Sequence, residues 1–411
     1  MKDEPIIQSL LDLDLYKLTM AQMVFDQHFG MFVKYAFKNR TKKVRLAEHV
    51  DVGELREQLD HVRDLRFSRK ELRYLQSIRV DGKQIFFDPE FFGFLEELKL
   101  PPYELNMVDG DFQITVYALW PLGIFWETII LSVVNELYYK SLFGRLSLFR
   151  VMVEGQRRLT EKMKILEENP DIRFSEFGTR RRFSRSWQKS VVETLALILP
   201  AGQLLGTSNV KLAMDYGQQP IGTMAHELFM VYQSLNNRSD EEIRNSHNKV
   251  LRDWYNFYGW PLSIALTDTC GSDFFFRDMT EGQARQWKGL RQDSGDPIAF
   301  GEKAIKFYES HGIGPHEKLL VFSDGLDIGM ILKIYNHFKD RIKVSFGWGT
   351  NLTNDLGPGS LSLVVKSVEA NGHGLVKLSD NLAKATGKPE DVERFKRIFG
   401  YEGENYQECK Y

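Results

Sequence analysis

The sequence predicts an α/β fold, a (β/α) barrel joined to a mixed α+β region, and three observations predict it. After Pro170 the text settles into a rhythm of strand, polar loop and helix, the alternation of a parallel sheet covered on both faces. Polar residues stand at almost every strand end. A barrel sends all its strand C-termini to one site, whereas an open sheet would concentrate them at one switch point. Finally, GLRQDSGDP (289–297), LLVFSDGLDIG (319–329) and KVSFGWGTNL (343–352) share one design, an apolar run that stops abruptly in small and acidic residues.

Taken in order, the first hundred residues alternate short helices with loops. Residues 51–66 are charged and helix-like, and FDPEFFGFLEELKL (87–100) opens on Asp-Pro and repeats aromatics at helical spacing. VKYAFKNRTKK (33–43) reads as a strand entering a basic loop, and residues 112–120 alternate as another strand. The apolar stretch 118–140 contains Pro121, Glu127, Asn135 and Glu136. It is too interrupted for the ~20 mostly apolar residues of a membrane span and reads as a buried helix. An amphipathic stretch, 149–169, ends at Pro170. Units then begin at DIRFSEFG, LLGTSNVKLAMDYG, PIGTMAHELFM, PLSIALTDTCG, KGLRQDSGDP, KLLVFSDG and IKVSFGWG, with helices at 298–311 and 327–338. From residue 360 the text is strand-like again, followed by a charged tail, and is expected to pack on the N-terminal region. The expected units are an N-terminal domain over 1–125, a barrel over 126–355 and a returning segment over 356–411.

A chain of 411 residues is long enough for two or three packed units. Its 43% hydrophobic and 27% charged residues are an ordinary globular balance. A net charge of -2 gives no general attraction to nucleic acid or to an anionic membrane. Cys270 and Cys409 offer neither a disulfide framework nor zinc spacing, which favours a reducing cytoplasm. The N-terminus lacks the basic and apolar regions of a signal peptide.

The strand ends point to a phosphorylated sugar. Glycine lets backbone approach a ligand closely, its N–H groups can wrap phosphate oxygens, and aspartate beside it suits a sugar hydroxyl or a magnesium ion. In EFGTRRRFSRS (176–186), Phe177 is placed to stack on a flat ring and Arg180 to meet a carboxylate or phosphate through its planar fork. A solvated basic loop over a core Phe177 would account for the same text. In GTSNVKLAMDYG (206–217), Thr207, Ser208 or Asn209 would cap a short helix that Gly217 stops, and capping alone explains these residue types. His226 stands beside apolar residues, where a satisfied interior histidine is the commoner outcome. Reactivity needs a carboxylate to hold its tautomer, and Asp268 is the candidate. An Asx turn before a helix explains Asp296 and Pro297, but leaves Arg291 and Asp293 unexplained.

DLYKLTM (14–20), EFGTRRR, GTSNV, GTMAHE, LTDT, LRQDSGDP, SDGLD and FGWGTNL, in this order to about residue 384, strongly resemble nicotinate phosphoribosyltransferase. The resemblance implies an irregular (β/α) barrel of type II phosphoribosyltransferase kind, with a sandwich domain formed by both chain ends and a homodimer sharing active sites. It implies that nicotinate and phosphoribosyl pyrophosphate give nicotinate mononucleotide and pyrophosphate, coupled to ATP hydrolysis with Mg2+. Phe177 would then face one side of the pyridine and Tyr16 of the partner subunit the other, with Arg180 and Arg291 near the ring and its carboxylate. Asp293 would bind ribose hydroxyls. Ser294, Ser323, Asp324, Gly325, Gly349 and Thr350 would hold the phosphorylated ribose, and Arg40 would reach phosphates across the dimer. His226 would be the phosphorylated histidine and Asp268 its partner. A related nicotinamide-using enzyme carries aspartate where Ser208 stands. A neutral donor there favours the acid over the amide, with nicotinamide and quinolinate as the alternative substrates.

Overall fold

The computed structural model describes residues 4–403, within which thirteen strands form three sheets. They are β1 (Phe32–Asn39), β2 (Arg79–Val80), β3 (Lys83–Gln84), β4 (Glu104–Val108), β5 (Asp111–Leu119), β6 (Phe174–Glu176), β7 (Leu204–Thr207), β8 (Ile264–Leu266), β9 (Gly289–Gln292), β10 (Leu319–Phe322), β11 (Lys343–Trp348), β12 (Leu363–Ala370) and β13 (His373–Gly374). Cys409 lies outside the described residues.

One sheet is antiparallel, in the order β13-β12-β1-β5-β4. Alternation decides its faces: Val33, Tyr35 and Phe37 of β1 and Phe112, Ile114, Val116 and Ala118 of β5 are buried, while Phe32, Lys38 and Tyr117 are exposed. β1 lies between β5 and β12, with Val33 opposite Ala118 on one side and Ala370 on the other. Both ends of the chain are therefore woven into one sheet. β2 and β3 form a small hairpin.

The second sheet is wholly parallel, in the order β7-β6-β11-β10-β9-β8. Its core side chains, among them Phe174, Leu290, Leu320, Phe322, Phe346 and Trp348, are buried, as expected of parallel strands covered on both faces. Seven strand-like units become six strands. The unit PIGTMAHE forms no ladder strand: Thr207 N donates to Gln219 O and Ile221 N donates to Thr207 O, and Thr223 Oγ1 reaches Ile264 O at 3.4 Å. Pro220 has no N–H to continue a ladder, so the segment spans the gap between β7 and β8 as extended chain. The barrel is irregular for that reason.

Two buried helices carry the site. The first ten residues of helix Leu15–His28 are buried, and Leu15 N donates to Ser208 O at 2.8 Å. Helix Trp126–Leu142 is almost wholly buried, as its interrupted apolar text predicts. Its Ser132 Oγ donates to Thr179 O and its Asn135 Nδ2 to Arg182 O, at 3.0 and 2.6 Å, fixing the loop after β6. Among the described residues no helix is long and apolar enough to cross a membrane.

Candidate active site

The C-terminal ends of the parallel strands open onto one cavity. β6 leads into Phe177 and Arg180, β7 into Ser208, β9 into Asp293, β10 into Ser323, Asp324 and Gly325, and β11 into Gly349 and Thr350. All of these line the cavity, as do Arg291 within β9 and His226 at the start of helix His226–Leu235. Tyr16 and Arg40 line it too. They do so from the same chain, where the resemblance implied that they cross from a second subunit.

Phe177 is seated by backbone: its N–H donates to Trp348 O at 2.8 Å. Its ring lies over Gly347, where a Cβ would sit 2.5 Å from Cε2. Arg180 stands over the Tyr16 ring at 5.7 Å, with Nε 3.5 Å from Asp14 and Nη1 3.3 Å from Glu127. Ser208 does not offer a free hydroxyl. Its Oγ donates to Asp14 Oδ1 at 2.6 Å, so a carboxylate stands beside the position where the neutral serine was expected to act alone. Burial raises the Asp14 carboxyl, against the pull of Arg180.

His226 is buried, and its nearest carboxylate is not the predicted one. Nε2 is 2.9 Å from Asp293 Oδ2 and 3.8 Å from Asp268 Oδ1, and Lys377 Nζ is also 2.9 Å away. Nδ1 meets Thr269 Oγ1 at 2.9 Å. Burial and the Lys377 ammonium bring the imidazole down to about 4, against Asp268 and Asp293, so the ring is neutral near pH 7. A neutral ring satisfies this surrounding in two ways. With the proton on Nε2 it donates to Asp293; with the proton on Nδ1 it donates to Thr269, and Nε2 accepts from Lys377. Asp268 and Ser294 stand behind the cavity wall, where Ser294 Oγ donates to Asp268 Oδ2 at 2.5 Å. β8 and β9 are neighbours, and of the carboxylates that follow them Asp293, directly after β9, lines the cavity while Asp268, two residues past β8, does not.

Cations that the sequence reading missed come from the returning segment. Lys366, Lys377 and Lys384 all line the cavity. Lys384 Nζ pairs with Asp324 and donates to Asp293 O at 2.8 Å. Burial, with Lys377 nearby, brings Lys366 down to about 7, Glu127 opposing. Two acidic residues were missed as well, Asp14 and Glu127. The strand-like text VVKSVE and VKLS held the signal: a lysine at an inward register position needs a partner.

His226, Asp268 and Asp293 could together hold a metal ion. Asp268 Oδ1 is buried with no hydrogen-bond partner, an oxygen free for a hard cation. Two carboxylates are the donor type that Mg2+ prefers, since it takes oxygen ligands and keeps several waters.

The chain is similar to known proteins over nearly its whole length. Residues 172–403 match the nicotinate phosphoribosyltransferase family and residues 11–135 match the N-terminal domain of that family. A nicotinate phosphoribosyltransferase structure from Porphyromonas gingivalis is 31% identical, with 96% of this chain and 100% of that chain covered and a TM-score of 0.85. One from Vibrio cholerae is 32% identical, with 97% and 94% covered and a TM-score of 0.86. The chain belongs to the nicotinate phosphoribosyltransferase family.

Proposed function

We propose that this enzyme makes nicotinate mononucleotide from nicotinate and phosphoribosyl pyrophosphate, and that ATP hydrolysis drives it through a phosphorylated His226. The observation that carries the ATP-linked step is the neutral His226, with Nε2 turned to Lys377 and Asp293 at the cavity wall. With its proton on Nδ1 and donated to Thr269, Nε2 keeps a lone pair for the γ-phosphorus. The N–P bond forms as the bond to ADP breaks, and ADP leaves with that electron pair. The Lys377 ammonium faces the incoming charge. Water later cleaves the N–P bond and releases phosphate. Asp268 and Asp293 would hold Mg2+, which when bound neutralises phosphate oxygens.

In the glycosyl step the pyridine nitrogen bonds to ribose C1 as the C1–O bond breaks, and pyrophosphate departs with the electrons. No proton transfer is required. Phe177 and Tyr16 hold the ring, Arg180 and Arg291 attract its carboxylate, and Asp293 meets the ribose hydroxyls. Ser323, Asp324, Gly325, Gly349 and Thr350 surround the 5′-phosphate and ribose, while Arg40 and Lys384 supply positive charge. Two arginines favour the acid, whereas Asp14 beside Ser208 gives the amide a specific argument as well. A panel of nicotinate, nicotinamide and quinolinate compared by kcat/KM decides between them. We further propose a homodimer, which the exposed, stacked Phe32 and Tyr117 on the outer face of the antiparallel sheet support, and a cytoplasmic location, which the scarcity of cysteine favours.

Incubation with γ-phosphate-labelled ATP tests the histidine. Acid-labile, base-stable label is expected on wild type and absent from His226→Ala; equal label on both removes His226 from the reaction.

A further inference from the structure

A buried lysine joins the two halves of this cavity without lining it. Lys17 is fully buried, and its Nζ lies 2.6 Å from Glu127 Oε2 and 2.7 Å from Glu227 Oε2. On the pyridine side, Glu127 Oε1 is 3.3 Å from Arg180 Nη1, and Glu127 Oε2 accepts from Tyr16 OH at 3.3 Å. On the histidine side, Glu227 Oε1 accepts from Tyr35 OH at 2.6 Å and from Trp120 Nε1 at 2.8 Å. Lys17, Tyr35 and Trp120 thus pin the Glu227 carboxylate to the N-terminal domain.

The connection is one of register. Lys17 follows Tyr16 in helix Leu15–His28, and Glu227 follows His226 in helix His226–Leu235. Successive helical residues are turned by ~100°, so a pin between positions 17 and 227 sets the azimuth of Tyr16 and of His226 together. A second tie runs parallel to it, Thr19 Oγ1 donating to Thr223 O at 2.7 Å. The connection is also one of charge. Two carboxylates, Asp14 and Glu127, line the proposed ring site, and Lys17 is the ammonium that Glu127 shares with Glu227 behind it. Burial alone would raise the Glu127 carboxyl, yet Lys17 and Arg180 bring it down to about 2. It therefore remains an anion, whose field Lys17 cancels at close range.

We propose that Lys17 is a positioning residue that locks the pyridine-binding residues and His226 in register, and that its charge sets the preference of the cavity for an anionic pyridine. The proposal rests on the nicotinate reading above. Without the ammonium, Glu127 would claim Arg180 fully and repel a substrate carboxylate, while a neutral pyridine would feel little of this.

Lys17→Met tests it, with KM for nicotinate and the inhibition constant of neutral nicotinamide measured side by side. Nicotinate KM is expected to rise at least tenfold and the nicotinamide constant to move less than threefold. Lys17→Met/Glu127→Gln, which removes the uncompensated anion nearest Arg180, is expected to recover most of the nicotinate loss, and Lys17→Arg to keep the wild-type ratio. Equal losses for both pyridines, or nicotinate KM within twofold of wild type, would overturn the proposal. Lys17→Gln keeps hydrogen bonds to both carboxylates without the charge and carries the same test should the methionine variant not fold. Wild type is the control for the reaction itself: no nicotinate-dependent pyrophosphate release there refutes the proposed function. The two pyridines are then compared by equilibrium binding, which still reads the role of Lys17.

Discussion

Gly347→Ala is the sharpest probe of the ring site, because the structure states what the added methyl must meet. A Cβ at Gly347 would lie 2.5 Å from Phe177 Cε2 and 3.1 Å from Ser323 Cβ. Carbon atoms pack at about 3.5–4.0 Å, so the Phe177 ring must retreat by roughly 1 Å. Its backbone is held to Trp348 O and its ring lines the cavity, so the ring moves into the space proposed for the pyridine. Overpacking of this kind costs about 1–3 kcal/mol, and a displacement of about 1 Å in a reacting arrangement can cost ~10²-fold. The overpacking cost falls on stability, and the displaced ring should lower kcat/KM for nicotinate by ~10²-fold. The assay is steady-state pyrophosphate release, with nicotinate and phosphoribosyl pyrophosphate varied in turn and folding checked by thermal melting. The loss should sit with nicotinate, KM for phosphoribosyl pyrophosphate changing little. A folded variant with wild-type nicotinate kinetics would refute the placement of Phe177 at the ring.

Two further outcomes are expected. His226 is held at about 4 by burial and Lys377, so the nucleophilic neutral form persists well below pH 6.5. Labelling of wild type from ATP should therefore stay level down to about pH 5.5 at constant ATP saturation, and an acid limb centred on 6.5 would contradict that environment. The sign for stability is the same: the unfolded chain binds this proton first, so the contribution is present above 6.5 and lost as pH falls through about 4. Arg182 is fully buried, with both terminal nitrogens on Asp12 at 2.6 and 2.9 Å. Arg182→Leu leaves the Asp12 carboxylate only Asn209 at 2.7 Å and Arg185 at 3.6 Å and should cost about 3 kcal/mol in denaturant unfolding. Asp12→Asn/Arg182→Leu should recover part of it, and a full-strength single variant would disprove the pairing.

Much of the barrel was legible because backbone chemistry writes itself into local text. Short β-branched and aromatic runs ending in Gly, Ser and Asp are strand ends wherever they occur, and β9, β10 and β11 begin and end close to where that pattern places them. Asn209 caps helix Val210–Tyr216 and Gly217 ends it in the left-handed region, φ 61°, as the residue types require. The unit PIGTMAHELFM, 220–230, misled for an equally local reason, since its strand-like composition outweighed the missing N–H of Pro220 in the reading.

What remained unreadable were long-range pairings. Lys17 in an apolar helix, Glu127 in a stretch resembling a span and Glu227 beside His226 each look out of place alone, and only folding shows that they answer one another. Lys366, Lys377 and Lys384 read as ordinary strand and tail lysines until β12 pairs with β1 and carries the returning chain over the barrel mouth. Strand ends and caps depend on a few consecutive residues, so sequence alone determined them. The identity of the carboxylate facing His226, and the origin of the cavity's charge, depend on side chains up to hundreds of residues apart. Excluding water from such charges makes each partner decisive, and only the tertiary structure settled those partners.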